Sequence, residues 1–218
     1  MELRIPARRV LADDVYEQIR ALIMSDGMAP GARVNIDELA RRLDVSPTPV
    51  REALARLESE ELVSRLPLRG YSVTDLLNRK QVDDLYALRL LLEPPSAALA
   101  AVRMTREFAA EIEEELATCP AAPADNAYDD YKNLTAHDQR LHELILRIAG
   151  NEAVLQSFAK THCHLHLFRL NFQQPFGVQT ITEHRAIVDA LVAGDPEAAS
   201  AAMTAHLEIA RARLLDRM

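Results

Sequence analysis

The most restrictive feature of the sequence is a four-residue break, residues 44–47, between two short amphipathic segments. The first segment repeats small and branched apolar residues at helical spacing, namely Leu39, Ala40 and Leu43. Asp37 is placed to cap that helix, and Ser46 is a favourable N-cap for the second, with Pro47 at its first position. Two helices separated by so short a turn are typical of a helix-turn-helix.

Flanking segments extend this unit into a larger DNA-binding fold. Apolar residues on one face predict a helix before it, over residues 10–25, and Val34 with Ile36 suggests a short strand. Residues 62–66 and 71–74 alternate as strands do, and Pro67 to Gly70 between them favours a turn. A β-hairpin directly after the second helix is a wing, so residues 1–75 predict a winged helix-turn-helix.

The rest of the chain shows helical patterns and no strand pattern. We expect a linker over residues 76–78 and an all-α domain over residues 79–218. Six helices are predicted, near residues 78–101, 105–117, 125–149, 151–171, 178–193 and 195–216. Pro94 and Pro95 should kink or break the first of these helices. The predicted fold class is therefore mainly α, a winged helix-turn-helix followed by a six- or seven-helix bundle.

Composition limits the classes of function. The net charge is −8, and residues 1–75 carry 11 Arg, no Lys and 13 acidic residues. This balance argues against a protein that coats nucleic acid, so any DNA binding must rest on local placement of residues. The chain has no run of eighteen apolar residues and no apolar leader, and Cys119 and Cys163 make no disulfide framework. We therefore expect a cytoplasmic protein without a membrane partner.

The helix-turn-helix segment resembles a known family. Residues 45–54 read Val-Ser-Pro-Thr-Pro-Val-Arg-Glu-Ala-Leu, and residues 66–73 read Leu-Pro-Leu-Arg-Gly-Tyr-Ser-Val. Both stretches are similar to the GntR family of bacterial transcriptional regulators, and the resemblance covers roughly residues 10–75. It implies a homodimer that binds palindromic, double-stranded operator DNA.

The resemblance and the helix geometry indicate the same candidate DNA contacts. Ser46, Thr48 and Arg51 lie on the first turns of the second helix, the part that enters a major groove. Arg51 can donate two hydrogen bonds to guanine, and the hydroxyls can bind phosphate or base edges. Arg69 and Gly70 occupy the predicted wing tip, and Arg56 is a weaker candidate. The alternative is that these are ordinary solvated surface residues.

Two positions depart from the family pattern. Many relatives have Arg at the position of Pro47 and Gly at the position of Glu61. The absence of an arginine at Pro47 removes one possible DNA contact, so the preferred operator sequence need not follow that of relatives.

A second group of residues suggests a metal site in the C-terminal part. Asp138 and His142 are four residues apart, so one helix face presents a carboxylate and an imidazole together. His184 and His206 fall on two later predicted helices. Three imidazoles and one carboxylate suit a divalent ion such as Zn, Ni, Mn or Fe. By spacing alone, an Asp-x-x-x-His pair such as Asp138 and His142 is more often an ion pair on the helix surface or a helix-stabilising contact.

Residues 79–217 resemble the FCD effector domain of the FadR subfamily. The similar stretches are residues 89–93, 138–142 with 149–151, 183–191, and 194–199 leading to His206. The resemblance implies that Asp138, His142, His184 and His206 bind a metal, and that a small organic acid is the effector. It also implies that repression relieved by ligand is the commonest behaviour. Six helices rather than seven would favour the VanR-like branch.

Four further residues are candidates for contacting the effector. The guanidinium of Arg89 matches a carboxylate, although an ion pair with Glu93 is the simpler interpretation. We expect His162 and His166 to share a helix face and line the cavity, or to form a second metal pair. Asn133 is a fourth candidate. His164 is best explained as part of a polar helix face, and His137, turned about 100° from Asp138, is not expected to be a ligand.

Two other functions remain open at this point. A site of three histidines and one aspartate with open positions could serve a metal-dependent enzyme. No nucleophile or acid–base pair accompanies it, and catalysis would leave residues 10–75 unexplained. Alternatively, the metal could be structural, or could itself be the signal.

Overall fold

The computed structural model describes residues 8–25, 27–66, 70–118, 128–171 and 178–218. The chain divides into two compact units, with the boundary between residues 76 and 77. The N-terminal unit comprises α1 (Arg8–Met24), β1 (Arg33–Val34), α2 (Ile36–Arg42), α3 (Pro47–Ser59), β2 (Val63–Leu66) and β3 (Gly70–Val73). The strands form an antiparallel sheet in the order β1-β3-β2. This arrangement confirms the predicted winged helix-turn-helix.

The core of the N-terminal unit lies between α1 and α3. Ile19 and Ile23 of α1 are buried, as are the apolar residues of α3 on its inner side: Val50, Ala53, Leu54 and Leu57. Burial of this stripe leaves the opposite face of α3 exposed to solvent. The first turn of α3 is therefore accessible to a partner.

Local capping differs in one respect from the sequence expectation. Asp37 lies inside α2, and the cap is Asn35, whose side chain accepts hydrogen bonds from the amides of Asp37 and Glu38. The expected strand at Ile36 was also wrong by two residues, because α2 already begins there. Ser46 is the N-cap residue of α3, with Pro47 in the first turn, as predicted.

The C-terminal unit contains seven helices in the part of the chain that the structure describes. They are α4 (Arg79–Val102), α5 (Arg106–Ala117), α6 (Tyr128–Ala149), α7 (Glu152–Ala159), α8 (Cys163–Asn171), α9 (Val178–Val192) and α10 (Pro196–Leu215). The helix predicted over residues 151–171 is in fact two helices, because His162 adopts a left-handed conformation with φ of 44°. The helix count therefore gives no support for the VanR-like branch.

The helix α4 is the centre of the C-terminal unit and packs against α6, α9 and α10. The assigned helix continues through Pro94 and Pro95, so the expected break does not occur. Each proline removes one backbone donor. The residues that follow, Ser96, Ala97, Ala100 and Ala101, are all buried, and this packing stabilises the helix beyond the prolines.

The length and composition of α4 alone would allow it to cross a membrane, with a mean hydropathy of 1.3 in its most apolar window. Central helices of globular domains share this property, and α4 buries the charged pair Arg89 and Glu93 against neighbouring helices. Among the described helices it alone meets the length and hydropathy criteria, so the pattern is weak evidence for a membrane span.

Glycines end α6 and α9 in the same conformation but in different surroundings. Gly150 has φ of +73° and Gly194 has φ of +67°. A Cβ at residue 150 would overlap Nη1 of Arg103, which donates a hydrogen bond to the carbonyl of Ala149. A Cβ at residue 194 would meet only the carbonyl of Ala101, at 3.9 Å.

We expect Gly150→Ala to lower the free energy of unfolding more than Gly194→Ala. Both substitutions cost about 1–2 kcal/mol of left-handed backbone strain, and Gly150→Ala also loses a hydrogen bond worth about 1 kcal/mol. Urea unfolding of the two variants measures the difference. Equal losses would show that the Arg103 contact contributes nothing.

Candidate metal centre and DNA-contact residues

Three helices bring the four predicted metal ligands together. Asp138 and His142 lie on α6, His184 on α9 and His206 on α10. One ligand atom from each of these residues lies within 4.8 Å of all the others. All three histidines are buried, and Asp138 is partly exposed. Residues that are 68 positions apart in sequence therefore converge on one point, which spacing alone could not establish.

Nδ1 of each of the three histidines lies within hydrogen-bonding distance of a neighbouring side chain. Nδ1 of His142 pairs with the carboxylate of Glu93, and Nδ1 of His206 lies 2.8 Å from Oε2 of Glu183. Nδ1 of His184 lies 3.2 Å from Nε2 of His137. Such partners orient an imidazole so that its Nε2 can bind a metal.

The Nε2 atoms on the inner side of the cluster lack partners. Nε2 of His142 and Nε2 of His184 are buried and have no hydrogen-bond partner among the described residues. A buried polar atom without a partner costs free energy, and such atoms in a native fold call for an explanation. A divalent cation between these nitrogens and the Asp138 carboxylate would satisfy them, so the residues present fit a metal ion.

The protonation states of the ligands also suit a metal. Burial lowers the pKa of His142 to about 3, and burial also lowers the pKa of His206. Both imidazoles are therefore neutral at pH 7 and keep a lone pair. Burial by itself would raise the pKa of Asp138, but the hydrogen bond from His164 and the charge of that ring outweigh it and hold the pKa well below its usual range. The site presents an ionised carboxylate and, at His142 and His206, neutral imidazoles, as metal binding requires.

A small cavity adjoins the ligands. Its volume is about 50 Å³, and two of the four ligands, Asp138 and His206, line it. Other polar groups on its wall include Arg89, His164, Thr180 and Arg213. An ion held by these four residues would supply a Lewis acid that could also attract water or the carboxylate of a small molecule. The cavity gives such a group a place beside the ligands.

Arg89 satisfies both interpretations given from sequence. It is buried, and its Nε donates to Oε1 of Glu93 at 2.6 Å. It also lines the cavity. The ion pair therefore holds the guanidinium in place without removing it from the cavity wall.

The other effector candidates lie elsewhere. Asn133 is exposed and is absent from the cavity lining, so the expectation that it faces the cavity was wrong. His162 precedes α8 in a left-handed conformation, and neither it nor the buried His166 lines the cavity. The break between α7 and α8 invalidates the shared helix face on which their prediction rested.

His164 is the residue that sequence reasoning missed. It is buried and lines the cavity, and its Nδ1 donates to Oδ2 of Asp138 at 2.7 Å. Burial opposes its charge, yet the nearby Cys163 and Asp138 raise its pKa to about 10. The expected polar helix face is wrong, because α8 packs this residue against α6. No local pattern in the sequence distinguishes His164 from its neighbours, because the pattern does not show where α8 begins.

The candidate DNA contacts fall into three groups. Ser46, Thr48 and Arg51 are exposed at the start of α3, and the Ser46 side chain makes no capping hydrogen bond. Arg56 is engaged with α1, because its Nη1 lies 2.5 Å from Oδ1 of Asp13 and its guanidinium stacks over the ring of Tyr16. Gly70 is the exposed first residue of β3, and Arg69 lies outside the described residues.

Comparisons with known proteins agree with this division of the chain. The family model for bacterial regulatory proteins of the gntR family matches residues 11–73, and the model for the FCD domain matches residues 84–209. The HTH-type transcriptional regulator YdhC of Bacillus subtilis is 28% identical over 193 residues, which cover 88% of this chain and 85% of the relative.

Solved structures show the same fold. A GntR transcriptional regulator from Rhodococcus sp. RHA1 has a TM-score of 0.71 at 24% identity, covering 94% of this chain and 97% of that chain. An FCD domain solved in a metal-free state has a TM-score of 0.50 at 20% identity, covering 65% of this chain and 96% of that chain.

We expect the protein, purified without chelators, to hold close to one divalent metal ion per chain. His184→Ala should lose that ion, because it removes one buried ligand atom and opens a cavity beside the others. His162→Ala is the matched control and should keep the ion, since His162 lies outside the cluster. Elemental analysis of the three proteins measures the difference. Metal retained in His184→Ala would contradict the ligand set.

Proposed function

Because the chain belongs to the FCD-containing regulators of the GntR family, we propose that it is a metal-dependent, metabolite-responsive repressor. It is a transcriptional regulator rather than an enzyme, as are its relatives. In this proposal a homodimer binds operator DNA through α3 and the wing. A small organic acid binds at a divalent metal in the C-terminal unit and changes the affinity for DNA. A regulator of this kind acts in the cytoplasm.

The observation that carries the proposal is the buried cluster of Asp138, His142, His184 and His206. Nε2 of His142 and Nε2 of His184 have no hydrogen-bond partner among the described residues. Nδ1 of each histidine contacts a neighbouring side chain that orients the ring. Mixed nitrogen and oxygen ligands favour Zn, Ni, Mn or Fe. The similar FCD domain described as metal-free gives further support, since it implies a metal-bound counterpart. When bound, the ion would supply a Lewis acid that attracts a carboxylate.

The cavity supports a small anionic effector. Its volume is about 50 Å³, so only a compact molecule fits without movement of side chains. Arg89 and His164 lie on its wall, and both side chains can donate hydrogen bonds to carboxylate oxygens. The effector would thus contact groups from α4, α6, α8 and α10 at once. We propose that binding of this ligand relieves repression, which is the commonest behaviour of the family.

Regulation by such a ligand has a thermodynamic requirement. The ligand shifts the equilibrium between DNA-competent and DNA-incompetent states only by the difference of its affinities for the two. Since the ligand would bridge several helices of the C-terminal unit, small shifts of those helices provide that difference. The same linkage requires that operator DNA change the affinity for the effector by an equal factor.

The exposed start of α3 supports recognition of DNA. Arg51 points away from the core and has the planar donor group that matches guanine in the major groove. Thr48 and Ser46 flank it, and the helix N-terminus favours a phosphate. Arg56, by contrast, is engaged with Asp13 and Tyr16, so we assign it a role in joining α1 to α3.

Two copies are proposed to associate through α4. The helix exposes large apolar side chains along one stripe: Leu88, Leu91, Leu99 and Val102, with Leu91 73% exposed. The exposed Pro95 lies between them. Contiguous apolar patches of this kind mark interaction sites, and a second copy presents the same stripe in a two-fold interface.

We expect Arg51→Ala to lower operator affinity by about 5- to 150-fold, the loss of a bidentate base contact worth about 1–3 kcal/mol. The operator is obtained by selecting random-sequence duplexes with the wild-type protein, and affinities are measured by fluorescence anisotropy at fixed salt. Arg106→Ala removes the same charge from an exposed position on α5 and should leave the affinity unchanged. Equal affinities of Arg51→Ala and wild type would refute the recognition-helix assignment.

Removal of the metal separates regulation from structure. If the ion links the effector to DNA, chelation should change operator affinity, or its response to acids, while far-ultraviolet circular dichroism stays constant. A purely structural ion would instead leave a destabilised fold.

We expect Leu91→Glu to weaken the homodimer, because a charge would be buried at the centre of the proposed interface. Sedimentation equilibrium measures the dissociation constant. Val192→Glu places the same charge at an exposed apolar residue of α9 and should leave association unchanged. Unaltered association of Leu91→Glu would exclude α4 as the interface.

A further inference from the structure

We propose that His137 is a positioning residue for the metal site, which fixes the proton of His184 on Nδ1 and leaves Nε2 free to bind the ion. This inference rests on the proposed metal site. His137 is next to Asp138 in sequence but is outside the ligand cluster. It is fully buried on α6, with both ring nitrogens engaged.

The contacts of His137 form a chain from the surface of the bundle to the ligands. Its Nδ1 lies 3.0 Å from Oε1 of Glu115 on α5, and its Nε2 lies 3.2 Å from Nδ1 of His184 on α9. Glu115 is itself anchored, because Nε of Arg140 donates to its Oε2 at 2.9 Å. One buried imidazole thus connects an ionised carboxylate to a metal ligand.

The direction of these hydrogen bonds follows from what each group can do. Burial alone would raise the pKa of Glu115, but donors from Arg140 and Thr118 lower it, so this carboxylate is ionised and only accepts. Nδ1 of His137 must therefore carry the hydrogen. With its hydrogen on Nδ1, the His137 ring offers a lone pair on Nε2, which lies 3.2 Å from Nδ1 of His184 and accepts its hydrogen. In a neutral His184 this leaves Nε2 unprotonated.

The metal site needs this arrangement because Asp138 favours the opposite position of the His184 proton, on Nε2. Oδ1 of Asp138 lies 3.1 Å from Nε2 of His184, near enough for its negative charge to favour a proton on that nitrogen when no ion is bound. A proton there would have to be displaced before the ion could bind. The acceptor on the opposite side, His137, holds the single proton of His184 on Nδ1 instead.

The other two histidine ligands are oriented by carboxylates directly. Glu93 contacts His142, and Glu183 contacts His206. Among the described residues, His184 has no such carboxylate at Nδ1, and the imidazole of His137 transmits the effect of Glu115. A carboxylate therefore orients each of the three histidines, and for His184 it acts through the ring of His137.

The test measures affinity for Zn²⁺ by competition with a chromophoric chelator, and the visible absorption of the Co²⁺-loaded full-length protein. His137→Leu removes the acceptor at similar volume. We expect a 10- to 100-fold loss of Zn²⁺ affinity, the usual effect of removing an outer partner, and an altered Co²⁺ spectrum. His137→Gln restores an acceptor oxygen near the position of Nε2 and should recover most of the affinity.

A surface variant controls for indirect effects. Arg147→Met removes a comparable exposed ion pair between α6 and α5, that of Arg147 with Glu111, and leaves the contacts of His137 and Glu115 intact, so it should bind Zn²⁺ within about twofold of wild type. Thermal unfolding of the metal-free proteins reports whether each variant folds.

The possible results separate the two proposals. A folded His137→Leu with wild-type Zn²⁺ affinity and Co²⁺ spectrum would overturn the positioning role while the metal site stands. Equal losses in His137→Leu and His137→Gln would also overturn it, because packing rather than the acceptor would then be responsible. Absence of Zn²⁺ binding by wild-type protein would overturn the metal site itself, and this inference with it.

Discussion

The C-terminal unit depends on one constraint, that polar imidazole rings buried in an apolar helical bundle need polar partners. Five of its histidines, His137, His142, His164, His184 and His206, are almost wholly buried beside Asp138. Leaving such groups without partners costs free energy, and removing the partner of a buried group costs more than the bond contributes. The helices α4, α5, α6 and α9 all supply partners, so the requirement ties their relative positions together.

That constraint also gives the site its chemistry. Carboxylates or a neighbouring imidazole contact Nδ1 of His142, His184 and His206, and burial keeps the rings of His142 and His206 neutral, so their Nε2 atoms keep lone pairs for the proposed metal ion. Glu93 connects the cavity wall to the histidine cluster. It pairs with Arg89 on one side and with His142 on the other, and the guanidinium lowers the pKa of Glu93 to about 2 despite its burial. A ligand that disturbs Arg89 would therefore also disturb His142 of the proposed metal site.

The N-terminal unit follows a simpler logic. Burial of Val50, Ala53, Leu54 and Leu57 against α1 orients α3 so that its polar first turn faces solvent. The sequence pattern was sufficient to predict this, because the apolar stripe, the cap and the proline all act within about ten residues of one another. The contact of Arg56 with Asp13 could not be predicted in this way, since the two residues are 43 positions apart.

Local signals in the sequence determined the helix-turn-helix with its wing and the helical character of the rest of the chain, because helical periodicity, capping and turn residues act over short distances. The set Asp138, His142, His184 and His206 was predicted from the resemblance to the FCD domain, since spacing alone does not distinguish a metal site from an ion pair. Tertiary structure alone decided the break at His162, the continuity of α4 through its prolines, and the contacts of His137 and His164. Each of these depends on contacts between helices distant in the chain. An exposed histidine, a buried donor and a metal ligand look alike in sequence, and only the neighbours that packing provides distinguish them.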